Sequence, residues 1–237
     1  MNNNTLQLKV KLALNKLDSQ DYDNIPTWAI VANFNKAQTL WCRRNAHGEN
    51  ALREGDEQSI SRIDDLQKLI VQLPLPTFIN KGIYFQSDIS LWPVNYLRYK
   101  GFNLTAINDC CSKPKEMTVY LGEEADVNIY LNDPNVRPNY AWGETFVTIT
   151  GDKFNLYHDN QFSISEAFLL YYRQPTNIQI LGSTDPYTGL TPVADVICEF
   201  DDDLVELLIV DTASLIASDI ESIFQTQRLQ QEAEKNN

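Results

Sequence analysis

Hydrophobic spacing changes its period twice along this chain, and those two changes limit what it can fold into. Up to Leu73 the apolar residues fit helical spacing. Ile30, Phe34, Ala37 and Trp41 recur every three or four positions and share one stripe of a helix predicted from Pro26 to about Asn45. Pro26 suits its first turn, and Arg43 and Arg44 complement the dipole in its last. A third helix is predicted from Ser59 to Leu73, with Ile63, Leu66, Ile70 and Leu73 on one side, stopped by Pro74 and Pro76. The first segment, Leu6–Leu17, alternates like a strand through Leu14, but its Leu, Lys and Ala content tips it towards helix.

From Phe78 to Pro192 the spacing becomes that of short strands rich in Tyr, Phe, Val, Ile and Thr. Strands are predicted at Ile83–Phe85, Tyr96–Asn103, Met117–Tyr120, Val127–Leu131, Thr145–Ile149, Lys153–His158 and Ile178–Leu181. Thr145–Tyr157 reads as a hairpin around Gly151-Asp152. Ser165–Tyr172 fits strand or short helix, and Ser183–Pro192 is a turn-rich loop. The second change comes after Asp201-Asp202-Asp203. There Val205, Ile209, Ala213, Ile216, Ile220 and Ile223 form the stripe of a long C-terminal helix whose start the three acids cap.

The expected fold is α+β, with N-terminal helices, a central antiparallel β region and a long C-terminal α-helix. Its expected divisions are an N-terminal arm (1–25), a helical segment (26–76) with a charged loop (48–58), a β-rich core closed by the C-terminal helix (77–224), and a polar tail (225–237).

Charge is sorted as well. Residues 1–115 hold 14 Lys/Arg against 11 Asp/Glu, while residues 116–237 hold 5 against 21. No basic residue lies between Arg173 and Arg228. A net charge of −13 argues against a free nucleic-acid binder, whose affinity comes from Lys and Arg. It suits a chain that faces a basic partner on one side and avoids adhesion on another. No apolar run approaches the ~20 residues that span a bilayer, so no membrane partner is expected. Met1–Asn4 lacks the layout of a signal peptide, and Cys42, Cys110, Cys111 and Cys198 make no disulfide framework. Synthesis in a reducing cytoplasm is the simplest reading.

Catalytic signatures are missing. His47 and His158 belong to no multi-ligand metal motif, and Cys110-Cys111 is not a C-x-x-C pair. There is no phosphate-binding glycine loop and no nucleophile elbow. No catalytic, cofactor or metal residue is therefore expected. Trp28 and Trp41 suit either core packing or an intersubunit anchor, and Arg43 and Arg44, beside Trp41, suit either a helix end or a partner contact.

The order of several short motifs adds to this. Ser61–Ile70 (SRIDDLQKLI) precedes Trp92–Tyr99 (WPVNYLRY), then Asn132–Pro138 (NDPNVRP), Tyr140–Glu144 (YAWGE), Gly151–Tyr157 (GDKFNLY) and Tyr171–Pro175 (YYRQP). Cys198–Ala213 (CEFDDDLVELLIVDTA) and Ser218–Glu221 (SDIE) close the series. Over about residues 25–230 the chain resembles the neck-ring proteins of crAss-like tailed phages of Bacteroidetes. Trp92–Tyr96 stands where a Leu-Pro-x-Asp-Tyr run would be expected.

The resemblance implies a virion structural protein of the head-to-tail connector. It implies a ring, commonly dodecameric, stacked below the portal against neighbouring neck or tail rings, around the channel through which the genome leaves. It brings no catalytic residues. The structural positions it marks are Arg62 and Asp65, the Trp92–Tyr99 segment, Arg173 in its Tyr-Arg-Gln-Pro corner, and the acidic C-terminal helix. A channel must pass a polyanion without holding it, and acidic walls repel phosphate. Asp201, Asp202, Asp203 and Glu206 are the expected lining, with DNA passing unbound. Two other readings stay open. One is an acidic adaptor that grips a basic partner through residues 195–221. The other is a hydrolase built on Glu123, Glu144 or Asp159.

Overall fold

The first helix shows how little alternation alone decides. In the computed structural model, which describes residues 1–15, 25–45, 65–75, 77–88, 93–108, 111–151 and 153–219, Asn3–Asn15 forms helix α1. Asn2 caps it, its side-chain oxygen accepting the Thr5 N–H at 2.7 Å. Leu6, Val10 and Leu14 are buried, and Leu8 and Leu12 on the opposite side are exposed. The alternating leucines thus belong to two faces of one helix. Segment 1–25 was expected to be an arm, but its helical part packs against the C-terminal helix.

The chain divides into two compact units. One comprises residues 1–68 and 174–237, and the other residues 69–173. The charged loop 48–58 and the polar tail 225–237 lie outside the described residues.

In the first unit, α1 and helix α2 (Thr27–Asn45) both pack on helix α4 (Asp202–Asp219). The expected stripe on α2 is buried in full: Ile30, Phe34, Ala37 and Trp41. On α4, Leu204, Val205, Leu208, Ile209, Ala213, Ile216 and Ala217 are buried, while Glu206 stays in solvent. The segment between Gln174 and α4 is not the strand expected at Ile178–Leu181. It makes a single bridge, Gln179 with Val196. Side chains take the main-chain groups that a strand neighbour would occupy. Asn35 accepts the Ile178 N–H at 2.8 Å and donates to its carbonyl at 3.3 Å, and Asn3 donates to the Gln179 carbonyl at 2.9 Å.

The second unit is one eight-stranded sheet in the order β1-β8-β4-β5-β6-β7-β3-β2. Its strands are β1 (Ile70–Pro74), β2 (Ile79–Asn80), β3 (Tyr84–Asp88), β4 (Tyr96–Asn108), β5 (Cys111–Leu121), β6 (Glu144–Thr150), β7 (Lys153–Tyr157) and β8 (Phe162–Arg173). One face carries the core, with Phe102, Leu104 and Ala106 alternating along β4 and meeting Met117, Val147, Phe154, Leu156, Ala167, Leu169 and Tyr171. The Gly151-Asp152 hairpin forms as expected: Thr150 pairs with Lys153, and Gly151 takes the left-handed φ of 57°.

Three expectations fail here for physical reasons. Ile70–Pro74 was expected to end the third helix, but it is an edge strand on β8; residues 65–67 are helical, and Ser59–Asp64 lie outside the described residues. Ile70 and Val71 favour pleated backbone, and Pro74 is tolerated at an edge because its missing N–H faces no partner. Val127–Leu131 was expected to be a strand. It is helix α3 (Val127–Asn132), entered through a 3-10 turn at Glu124–Asp126. Finally, the sheet is not wholly antiparallel: β5 and β6 run parallel, Thr118 beside Glu144. A parallel pair needs a crossover, and α3 lies within it, its Tyr130 ring edge-on to Phe146 at 5.3 Å. The ambiguous segment Ser165–Tyr172 is strand, held on both sides by β1 and β4.

Candidate assembly surfaces

The four acids expected to line a channel sit where α4 begins, and all are exposed. They do not form an uncompensated negative wall. Asp202 pairs with the Met1 ammonium, Glu206 with Lys9 and Asp201 with Lys68. Lys68 also lies 3.8 Å from Asp65, and its pKa is raised, chiefly by the hydrogen bond to Asp201. Folding brings the weakly basic N-terminal residues onto the acidic helix start, so charge sorted along the sequence is partly paired again in space. Exposed pairs of this kind contribute little to stability. Their effect is on local potential: three of the four expected lining acids have a cation at hand.

The other candidates separate cleanly. Trp41 is buried, its ring edge-on to Phe200 at 5.7 Å, so it is core and not a partner anchor. Trp28 is half-buried, edge-on to Tyr187 at 6.1 Å. Arg43 and Arg44 are exposed in the last turn of α2. Burial raises the pKa of Asp211 on α4, and the Arg44 charge opposes that rise. Asp65 is buried beside Lys68. Arg173 ends β8, its N–H donating to the Leu69 carbonyl at 2.9 Å. Arg62 and Trp92 lie outside the described residues.

Of the carboxylates considered for hydrolysis, Asp159 is committed to a turn. Its two oxygens accept the N–H groups of Tyr140 and Gln161, each at 2.9 Å. Glu123 is exposed, and Glu144 opens β6. Among the described residues no group of three His, Cys, Asp or Glu could hold a metal ion, and no helix is long and apolar enough to cross a membrane.

Sequence reasoning passed over the loop at Ser183–Pro192 as turn chemistry alone. It is a built structure. Asp185 accepts the Tyr187 N–H and the Thr188 hydroxyl, both at 2.9 Å, and these bonds hold its pKa down. The Asp185 carbonyl accepts the Gly189 N–H at 2.8 Å, Gly189 takes a φ of 68°, and the hydroxyls of Thr184 and Thr191 meet at 2.8 Å. This frame holds Tyr187 at 87% exposure and Leu190 at 71%, with Val193 just beyond at 94%. The available signal was a Tyr and a Leu inside an otherwise polar turn sequence.

A second turn is held by a cation. Lys115 donates to the carbonyls of Tyr140 (3.0 Å) and Ala141 (2.9 Å) and lies over the Tyr140 ring, leaving Trp142 exposed next door. Near the same turn His158 is buried and stacked on Phe85 at 4.2 Å. Its Nδ1 accepts the Asn160 N–H at 3.1 Å, while Nε2 is buried with no hydrogen-bond partner. Burial lowers its pKa from the usual 6.5, with Asp159 opposing. A group that resists protonation only when folded destabilises the fold as pH falls through and below 6.5, because the unfolded chain takes the proton first. Denaturation midpoints of the wild type are expected to drop more steeply with acidification than those of His158→Gln; parallel slopes would remove this role from His158.

Comparison with known proteins supplies no relative: no family model and no curated protein matches the chain.

Proposed function

We propose that the protein is a non-enzymatic virion structural protein, a ring subunit of the neck that joins portal to tail around the DNA channel. The observation that carries the reading is the exposed apolar tip on an ordered loop, with Tyr187, Leu190 and Val193 turned to solvent. Three large apolar side chains grouped on one hydrogen-bonded loop suit a surface that another chain covers. The order of motifs from Ser61 to Glu221 points that surface towards a neck ring, with the portal and neighbouring rings as partners. The electrostatic support now rests on the whole unit of residues 1–68 and 174–237, which holds 11 Lys/Arg against 21 Asp/Glu, and no longer on Asp201, Asp202, Asp203 and Glu206. A surface of that sign passes duplex DNA without binding it. The adaptor reading loses ground, because most apolar positions of α4 are already buried within its own unit.

The test is direct. Projection images of the purified protein, alone or with portal, are expected to show closed rings, and mass spectrometry of purified virions should find the chain. A protein that stays monomeric, ignores portal and is missing from particles would refute the assignment.

A further inference from the structure

The turn after β7 is closed by a histidine that can close it only while neutral. His158 Nδ1 accepts the Asn160 N–H at 3.1 Å, and a protonated nitrogen accepts nothing, so the ring proton sits on Nε2. Asn160 holds a φ of 62°, and among the described residues it is the only non-glycine in the left-handed region. Asp159 completes the turn: Oδ1 accepts the Gln161 N–H and Oδ2 the Tyr140 N–H, each at 2.9 Å. The second of these bonds ties the β7–β8 connection to the Asn139–Glu144 turn, which carries Trp142. That neighbouring turn has bonds of its own, from the Asn139 N–H to the Glu144 carbonyl at 2.9 Å and from the Gly143 N–H to the Asn139 carbonyl at 3.0 Å. The Asp159–Tyr140 bond therefore links two turns that are each closed separately.

A second proton on the imidazole has no good place. On Nδ1 it meets the Asn160 N–H head-on, and Nε2 already lacks a partner. His158 is 5% exposed, so water does not solvate the charge while the turn stays closed. The elements packed on the ring bring Phe85 of β3, stacked at 4.2 Å, and Phe162 of β8, edge-on at 6.2 Å. Two neighbours favour the cation: the Phe85 face and the Asp159 carboxylate. Other charged and titratable groups are engaged or distant. Tyr84 of β3 and Tyr157 of β7 pair with each other, and Asp88 lies at the far end of β3, opposite Lys153. Glu166 of β8 is exposed, Glu144 opens β6, and Lys115 of β5 is bonded to the Tyr140 and Ala141 carbonyls. Burial outweighs the attractions and lowers the His158 pKa from the usual 6.5.

We infer that protonation of His158 is a local acid switch: it expels the Asn160 N–H, frees Asn160 from the left-handed region and draws Asp159 towards the imidazolium and off the Tyr140 N–H. The β7–β8 turn then detaches from the Trp142 turn while the sheet stays paired. The switch acts on the acid side of 6.5, where the open turn takes the proton before the closed one does. It stands independently of the ring reading.

Amide hydrogen exchange by NMR, corrected for the intrinsic effect of pH, tests it on the full chain. From about pH 7.5 to about pH 5 the Tyr140, Asn160 and Gln161 amides are expected to lose protection at least about 10-fold. Leu104 and Phe154, each paired on both sides in the sheet, should keep theirs. In H158Q the three turn amides should respond to pH no more than those two, whose protection also reports that the variant is folded. If the sheet amides lose protection together with the turn, His158 only destabilises the whole fold and there is no local switch. If the turn stays protected, or opens equally in H158Q, the proton on His158 does not open it. If Asn160 opens and Tyr140 does not, the link between the two turns is wrong.

Discussion

Trp41→Ala is expected to lower stability by about 3–5 kcal/mol, the range for removing a fully packed large aromatic from a core. Trp41 is only 3% exposed, continues the stripe of Ile30, Phe34 and Ala37, and meets Phe200 edge-on. The surrounding side chains have little freedom to collapse into the space: Cys42 and Gln38 beside it are themselves fully buried, and Gln38 is tied to Asn35 and to the Cys198 thiol. A loss of that size is a large share of a typical domain's stability, so urea titration of the variant should show a clearly lowered midpoint. The measurement also separates the two roles that the sequence left open for this tryptophan. A core residue changes the midpoint and leaves association of the folded fraction intact. Wild-type stability together with lost association would return Trp41 to the surface. Y187S/L190S is expected to behave in the opposite way.

What the sequence made legible follows from what sets each feature. The stripe of α2, the two-residue hairpin at Gly151 and the acidic start of α4 are local, governed by spacing, a turn conformation and the helix dipole, and they appear where expected. The failures are non-local. Whether Ile70–Pro74 continues a helix or joins a sheet depends on β8, which lies about a hundred residues away in the chain. Whether Val127–Leu131 is strand or helix depends on the parallel pairing of β5 with β6, which demands a crossover. The local charge around the candidate acids is set in the same non-local way. Charge counted along the chain could not show that Lys9 and Lys68 would fold onto Glu206 and Asp201. Nor could a turn-rich sequence show that Tyr187 would be held in solvent by Asp185 and Gly189. The candidate surface depends on what a loop's geometry does with one aromatic, and residue type alone does not carry that.

Phe154→Ala is expected to do in the sheet what Trp41→Ala does in the helical unit. Phe154 is fully buried on β7, on the core face, with the Phe102 ring 6.0 Å from its own. Its backbone is fixed from both sides, paired to Ile149 on β6 and to Ser87 on β3. A side chain anchored between two ladders leaves a cavity that the strands cannot close without breaking hydrogen bonds, so the cost should again be about 3–5 kcal/mol. The contrast is Ile79→Ala on edge strand β2. That side chain is mostly exposed, and the substitution should stay within about 0.5 kcal/mol. Thermal melts followed by near-ultraviolet circular dichroism would read both, since aromatic packing in this sheet dominates the signal from residues 69–173. If Phe154→Ala melted with the wild type while Ile79→Ala fell, the core would lie on the other face of the sheet. The inward set of β4, β7 and β8 would then be misassigned.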